Sequence, residues 1–337
     1  MREAMFYEKT GGNRVRCGLC RFRCLIDEGR RGICSVRENR GGVLYSLVYA
    51  KAIAEHVDPI EKKPLFHVMP GSRTFSVATV GCNFRCLHCQ NYSISQPFRD
   101  TLQITGTDLP PAEIVAKAVA SGCRSIAYTY TEPTIFFEYT YDTAVLAKKA
   151  GLMNIFVTNG YITPEALACI TPFLDAANID LKGFSERFYR EVVHAMLKEV
   201  LDSIVEYKRQ GIWIELTTLV IPGWNDSVEE LQGIARFIAD KVGKETPWHV
   251  SAFHPTFKMT DRPRTPAATL ALARKIGLDA GLAYVYEGNV ATEGGENTCC
   301  PACGELLIRR SGFYLEQNRI TQGKCPDCGA VIDGVGM

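Results

Sequence analysis

The chain has 337 residues, with 38 Lys and Arg against 37 Asp and Glu and 46% apolar side chains. That length exceeds what one hydrophobic core usually fills, so one large domain with appendages is expected. The balanced charge argues against a dedicated nucleic-acid binder, which would carry a basic excess. No apolar run reaches the ~18–20 residues that span a bilayer, and the opening MREAMFYEKTGGNR lacks the apolar core of a signal peptide; no membrane association and a cytoplasmic location are expected.

In chain order, residues 1–73 form a first segment marked by Cys17, Cys20, Cys24 and Cys34 in the pattern C-x2-C-x3-C-x9-C. Clustered cysteines in a reducing compartment bind metal or do chemistry more often than they pair. Zinc and an iron–sulfur cluster are both chemically reasonable here, and the reading leans to zinc. The segment closes with a polar connection, HVDPIEKKPLFHVMPGS, expected to cover the mouth of the domain that follows; His56 and His67 within it receive no chemical role.

Residues 74–296 alternate β-rich runs with amphipathic stretches. The runs are TFSVATV, SIAYTY, MNIFVTN, AANIDL, IWIELTTLV, WHVSAF and LAYVYEG. Several intervening stretches open on Thr-Pro or Ser and close on Gly, as helix caps require. Residues 185–211 leave room for two helices. Strand alternating with helix predicts parallel strands joined by right-handed crossovers. The expected fold class is α/β, a full or partial (β/α) barrel core. Chemically unusual residues follow each strand in turn: the cysteines of GCNFRCLHCQNY, then TEP, TNGY, DLK, IPGWND, HP and EGN. Barrel active sites gather at the strand C-terminal ends, so these residues should converge on one mouth.

Residues 297–337 carry CPACG and CPDCG, which place Cys300, Cys303, Cys325 and Cys328 as C-x2-C-x21-C-x2-C. This is a zinc-ribbon pattern with a hairpin between its knuckles, and a structural zinc is expected there, with Cys299 as the spare. Cys123 and Cys169 read as buried packing residues. His194, in a helical stretch, and His249, at the start of a strand, read as core or surface histidines.

Cys82, Cys86 and Cys89 form C-x3-C-x2-C directly after a strand. A closed zinc site takes four ligands, and within the motif only His88 could be the fourth. The pattern resembles the signature of radical S-adenosylmethionine (SAM) enzymes. The wider series CNFRCLHCQN, YTEP, TNGY, DLKG, IPGWND and FHP is similar to the pyruvate formate-lyase activating enzymes. With the N-terminal cysteines, DPIEKKPLFH, PWHVSAFHP, MTD, GNV, GENT and the knuckles added, it resembles the radical SAM component of the AmmeMemoRadiSam system over roughly residues 15–330.

The resemblance implies a [4Fe-4S] cluster held by Cys82, Cys86 and Cys89, with SAM chelating the remaining iron. It assigns Glu132 to the SAM amino group, Asp180 and Lys182 to the carboxylate region, and His254 to the neighbourhood of the sulfonium and ribose; Asn159 of TNGY joins the cofactor-binding set. The two glycines of the family's GGEP-like motif are Tyr130 and Thr131 here, and an aspartate often found before TNG is Val157. The charges make independent sense, because an ammonium needs an acceptor and a carboxylate needs a cation. The implied activity is reductive cleavage of SAM and hydrogen abstraction from an unidentified substrate, a partner protein being one candidate, with a flavodoxin- or ferredoxin-like electron donor. A glycyl-radical-enzyme activase is the nearest alternative. A non-catalytic metal-binding adaptor is the alternative of another class, and it would have no need of an open thiol triad.

Overall fold

Short runs such as SIAY and WHVSA are apolar or neutral throughout, so they are buried on both faces and suit a parallel sheet with covered faces. The computed structural model describes residues 1–96 and 103–337. It divides into two units: Met1–Asp58, Arg73–Ala177 and Arg209–Ile212 form the first, and Pro59–Ser72, Asn178–Lys208 and Trp213–Met337 form the second.

In the first unit, β1 (Ala54–Pro59), β2 (Arg73–Ala78), β3 (Ser125–Tyr128) and β4 (Met153–Thr158) are successive neighbours. Thr74–Val77 run parallel to Ser125–Tyr128, which run parallel to Met153–Phe156. Helix α1 (Pro111–Ala120) packs on β2 and β3, and α2 (Phe137–Lys149) on β3 and β4. Helix α3 (Pro164–Ile170) starts where Thr163 accepts from the Ala166 N–H and proline takes the first helical position. The N-terminal segment adds two small antiparallel sheets, one built on Tyr7–Thr10, Arg14–Cys17 and Leu25–Ile26. Its Arg37 is buried and pairs with the equally buried Glu138 at 3.0 Å.

The second unit takes β5 (Ala176–Asp180) from Asn178 onward, and β5, β6 (Trp213–Val220), β7 (Trp248–Ala252) and β8 (Val285–Gly288) are successive neighbours, with β6 to β8 parallel. Helices α4 (Leu197–Arg209), α5 (Val228–Phe237) and α6 (Ala267–Asp279) belong to this half, with α6 packed on β7 and β8. The C-terminal stretch folds as β9 (Thr298–Cys299), β10 (Leu306–Ser311) and β11 (Tyr314–Asn318), antiparallel, over a small core that includes Leu307, Ile308 and Ile332.

Three expectations need correction. The connection 59–72 does not cover the strand C-terminal ends in its unit. It packs at the opposite end, where Phe66 and His67 donate their backbone N–H groups to Glu215, the third residue of β6, at 3.0 and 2.8 Å. Its apolar Leu65 and Phe66 are buried there, which outweighs the polar look of the segment. His194 is not helical: it has a left-handed φ of 61° in the break between two helical segments, where the backbone turns. Cys169 is only half-buried, because it faces outward from the short helix α3, whereas Cys123 is buried. No helix among the described residues is long and apolar enough to cross a membrane.

Candidate functional site

Strand β2 delivers the chain to the loop carrying Cys82, Cys86 and Cys89. The loop is held by Gly81 N–H to Ile94 O (3.1 Å) and by Cys89 N–H to Cys86 O (3.3 Å). The Cys82 sulfur accepts from the Phe84 N–H at 3.4 Å, and Cys89 Sγ lies 3.2 Å from Ser95 Oγ. Phe84 packs edge-on against Tyr161 and Phe22, which fixes the turn between the first two cysteines. Burial pushes the Cys82 thiol well up, and the charges of Glu132, Cys86 and Cys89 push it further. Such a thiol needs a metal to become a thiolate.

Glu132 follows β3 and is fully buried. Its Oε1 accepts from Thr134 N–H (3.0 Å), Thr134 Oγ1 (2.6 Å) and Thr158 Oγ1 (2.8 Å), and its Oε2 from the Asn159 N–H (2.8 Å). Every one of these donors is neutral, and no cation pairs with the carboxylate among the described residues. Burial therefore pushes its pKa up, and the hydrogen bonds only partly offset that. Asn159, after β4, reaches back through Nδ2 to Asn83 Oδ1 at 2.8 Å. Glu132, Asn159, Asn83 and Cys82 thus form one continuous buried wall at the C-terminal ends of β2, β3 and β4. Thr134, Thr158 and Asn83 were not singled out from the sequence; each adjoins or lies within a motif that was, which is the signal that could have found them.

Of the two positions where the resembling family has glycine, only Tyr130 takes a left-handed backbone that favours glycine. Tyr130 has a φ of 61°, a left-handed conformation that costs a side-chain-bearing residue about 1–2 kcal/mol. Its hydroxyl donates to Asp58, which also accepts from Ser76 Oγ, and its carbonyl accepts from Asn91 Nδ2 at 2.8 Å. Thr131 is anchored by its hydroxyl to Thr79 O at 2.9 Å. The fold compensates for the missing glycine at 130 by tethering the tyrosine.

In the second unit, Asp180 and Lys182 pair with each other, Nζ to Oδ2 at 2.8 Å. Asn225 of IPGWND donates to Lys182 O (2.7 Å) and Leu219 O (2.9 Å), lacing the loops after β5 and β6. His254 is exposed after β7, with Nε2 3.4 Å from Asn289 O in the loop after β8.

Cys300, Cys303, Cys325 and Cys328 are, among the described residues, the one group of three or more His, Cys, Asp or Glu whose donor atoms all lie within 4.8 Å of one another. Sγ–Sγ separations are 3.6 Å for Cys300–Cys328 and 3.8 Å for Cys303–Cys325. A tetrahedron with arms of ~2.3 Å has edges of about 3.8 Å, the size of a zinc–thiolate site. The knuckles repeat one backbone pattern: Cys300 N–H to Glu305 O and Gly304 N–H to Cys300 O, then Cys325 N–H to Ala330 O and Gly329 N–H to Cys325 O. Both glycines sit at positive φ, 81° and 76°, which is why each CPxC is followed by Gly. The group could hold a metal.

The model of the radical SAM superfamily matches residues 76–238. An uncharacterised protein of Methanocaldococcus jannaschii is 48% identical over 335 residues, covering 99% of both chains. A second protein of that organism, named provisionally as a glycyl-radical enzyme activating enzyme, is 26% identical over 180 residues, half of this chain and 64% of its own. A radical SAM methyltransferase from Sphaerobacter thermophilus superposes with a TM-score of 0.50 at 17% identity, covering 70% of this chain and 71% of its own. The chain belongs to the radical SAM superfamily, which implies SAM and a [4Fe-4S] cluster. The thiol triad fits that cluster on its own terms. It offers three thiols and no fourth, and no three of its donor atoms crowd within 4.8 Å as a single ion would require. Beside Cys82, the buried Asn83 Nδ2 has no hydrogen-bond partner, a donor left over for a sulfur acceptor.

Proposed function

We propose that this protein is an enzyme that binds SAM at Cys82, Cys86 and Cys89, cleaves it reductively, and uses the product to take a hydrogen atom from a substrate. The carrying observation is Glu132, a buried carboxylate with four neutral donors and, among the described residues, no counter-ion, set in one wall with the thiol triad. A ligand ammonium would complete it. A [4Fe-4S] cluster held by Cys82, Cys86 and Cys89 would supply one electron, received from a flavodoxin- or ferredoxin-like donor, for the reductive cleavage of SAM, and the substrate hydrogen would leave in 5′-deoxyadenosine.

The chain's own residues bind and orient. Thr134, Thr158 and the Asn159 N–H hold the Glu132 carboxylate in place, so little reorganisation is needed when an ammonium arrives. By the family resemblance Lys182 is the cation for a SAM carboxylate, and Asp180 positions it through their 2.8 Å pair. His254 and Asn159 complete the proposed contact set. Four thiols at Cys300, Cys303, Cys325 and Cys328 would hold a structural zinc with no open position, apart from turnover. A glycine of a partner protein as substrate is the second reading, favoured by the similarity to the protein named for glycyl-radical enzyme activation.

Anaerobically reconstituted protein with reductant and SAM should release 5′-deoxyadenosine, and the Cys82/Cys86/Cys89→Ala variant should release none. Equal release from that variant would remove the triad from the reaction.

A further inference from the structure

We infer that Cys17, Cys20, Cys24 and Cys34 hold an iron–sulfur cluster, distinct from the one proposed at the triad, and not a zinc ion. All four thiols line one small enclosed cavity, shared with Ile26, Arg37 and Ile135. The C-terminal quartet provides an internal yardstick: its sulfurs stand 3.6 and 3.8 Å apart, as one tetrahedral ion demands. Among the described residues, no three of the N-terminal sulfurs lie within 4.8 Å of one another. Four thiols that line one cavity without closing to within that limit are set for a body larger than one ion. Multi-iron clusters held by four cysteines are that kind of body.

The wall of the cavity carries a donor with nothing to bind. Arg37 is 1% exposed, its Nη1 donates to Glu138 and its Nη2 to Met5 O, and its Nε–H has no partner. A buried N–H left unpaired costs about 1–3 kcal/mol, and cluster sulfurs accept such bonds. Gly32 belongs to the same cradle, since a Cβ there would stand 3.7 Å from Cys24 Sγ and 3.2 Å from Ile26 Cδ1. The site also abuts the triad loop. Gly81, immediately before Cys82, has φ +112°, and a Cβ on it would strike Val36 and Ile135 at 2.8 and 2.9 Å with Cys34 O at 3.5 Å. Ile135 therefore separates the quartet from the loop that bears Cys82.

The test is a metal count on anaerobically reconstituted full-length protein, with iron, sulfide and zinc measured per chain and electron paramagnetic resonance of the reduced state. The Cys82/Cys86/Cys89→Ala variant should keep about four iron and four sulfide, with the spectrum of a reduced cluster. A Cys17/Cys20→Ser variant should lose about that much iron from the wild-type total. Wild type itself should carry about eight iron and one zinc, a readout that survives if a variant fails to fold. About four iron and two zinc in wild type, an iron-free triad variant, or full iron in Cys17/Cys20→Ser would each overturn the inference. Failure of the triad reading looks different, because wild type and the triad variant would then hold equal iron.

Discussion

Glu132 and Glu215 are both fully buried carboxylates in a parallel-strand core, and their pKa values move in opposite directions. Burial raises both. At Glu215 the hydrogen bond and charge of His249 and the charge of His67, with the Phe66 N–H, overcome that and hold it below the ordinary range. His249 Nε2 meets Glu215 Oε2 at 2.7 Å. At Glu132 the donors are amides and hydroxyls, so among the described residues the charge stays uncompensated. Glu215 stands near the start of β6 and ties the connection 59–72 to the sheet; Glu132 stands beyond the end of β3, beside the thiol triad. A charge completed within the chain serves the fold, and a charge left incomplete is ready for a ligand. Sulfur repeats the contrast, with a four-thiol group closed at 3.6–3.8 Å and a triad that lacks a fourth member.

The largest effect should come from breaking the completed site. Glu215→Ala leaves two backbone N–H groups and His249 without their acceptor and should cost about 3–5 kcal/mol of unfolding free energy in denaturant titration. A loss under about 1 kcal/mol would mean the network is incidental. The same carboxylate gives a pH test. Its folded pKa lies below its unfolded value, so its stabilisation is present above the ordinary carboxylate range and disappears as pH falls through the depressed value. The stability gap between wild type and Glu215→Ala should therefore narrow on acidification below that range; a gap that narrows as pH rises would reverse the assignment.

Glu132→Ala probes the incomplete site and should weaken SAM binding by roughly 1.5–3 kcal/mol, about ten- to a hundredfold, in calorimetric titration of reconstituted protein. Unchanged affinity would detach Glu132 from the ligand. Lys182→Ala should cost less, about 1 kcal/mol or under, because Lys182 is partly exposed and already paired with Asp180. The smallest effect on catalysis is expected from Cys300→Ser, which should lose the zinc and loosen the C-terminal segment while 5′-deoxyadenosine release persists. Loss of SAM cleavage with iron retained would tie the ribbon to turnover.

Much of this was legible in the chain. Spacing alone marks the triad and the two knuckles, because ligands within one turn or loop are brought together by local geometry. Alternating runs and caps announce parallel strands, and Tyr130 and Thr131 stand out against a glycine-bearing motif. What the chain could not show depends on distant residues meeting. Which end of the strands the connection 59–72 covers was decided by the burial of Leu65 and Phe66 and by Glu215, 148 positions from His67. That Tyr130 could keep a glycine's backbone depended on Asp58, 72 positions away. The sequence leans the N-terminal cysteines only slightly to zinc, since four thiolates serve either metal group. The iron–sulfur reading inferred above rests on how the fold sets those sulfurs, because one ion draws its ligands to about 3.8 Å and a cluster keeps them apart.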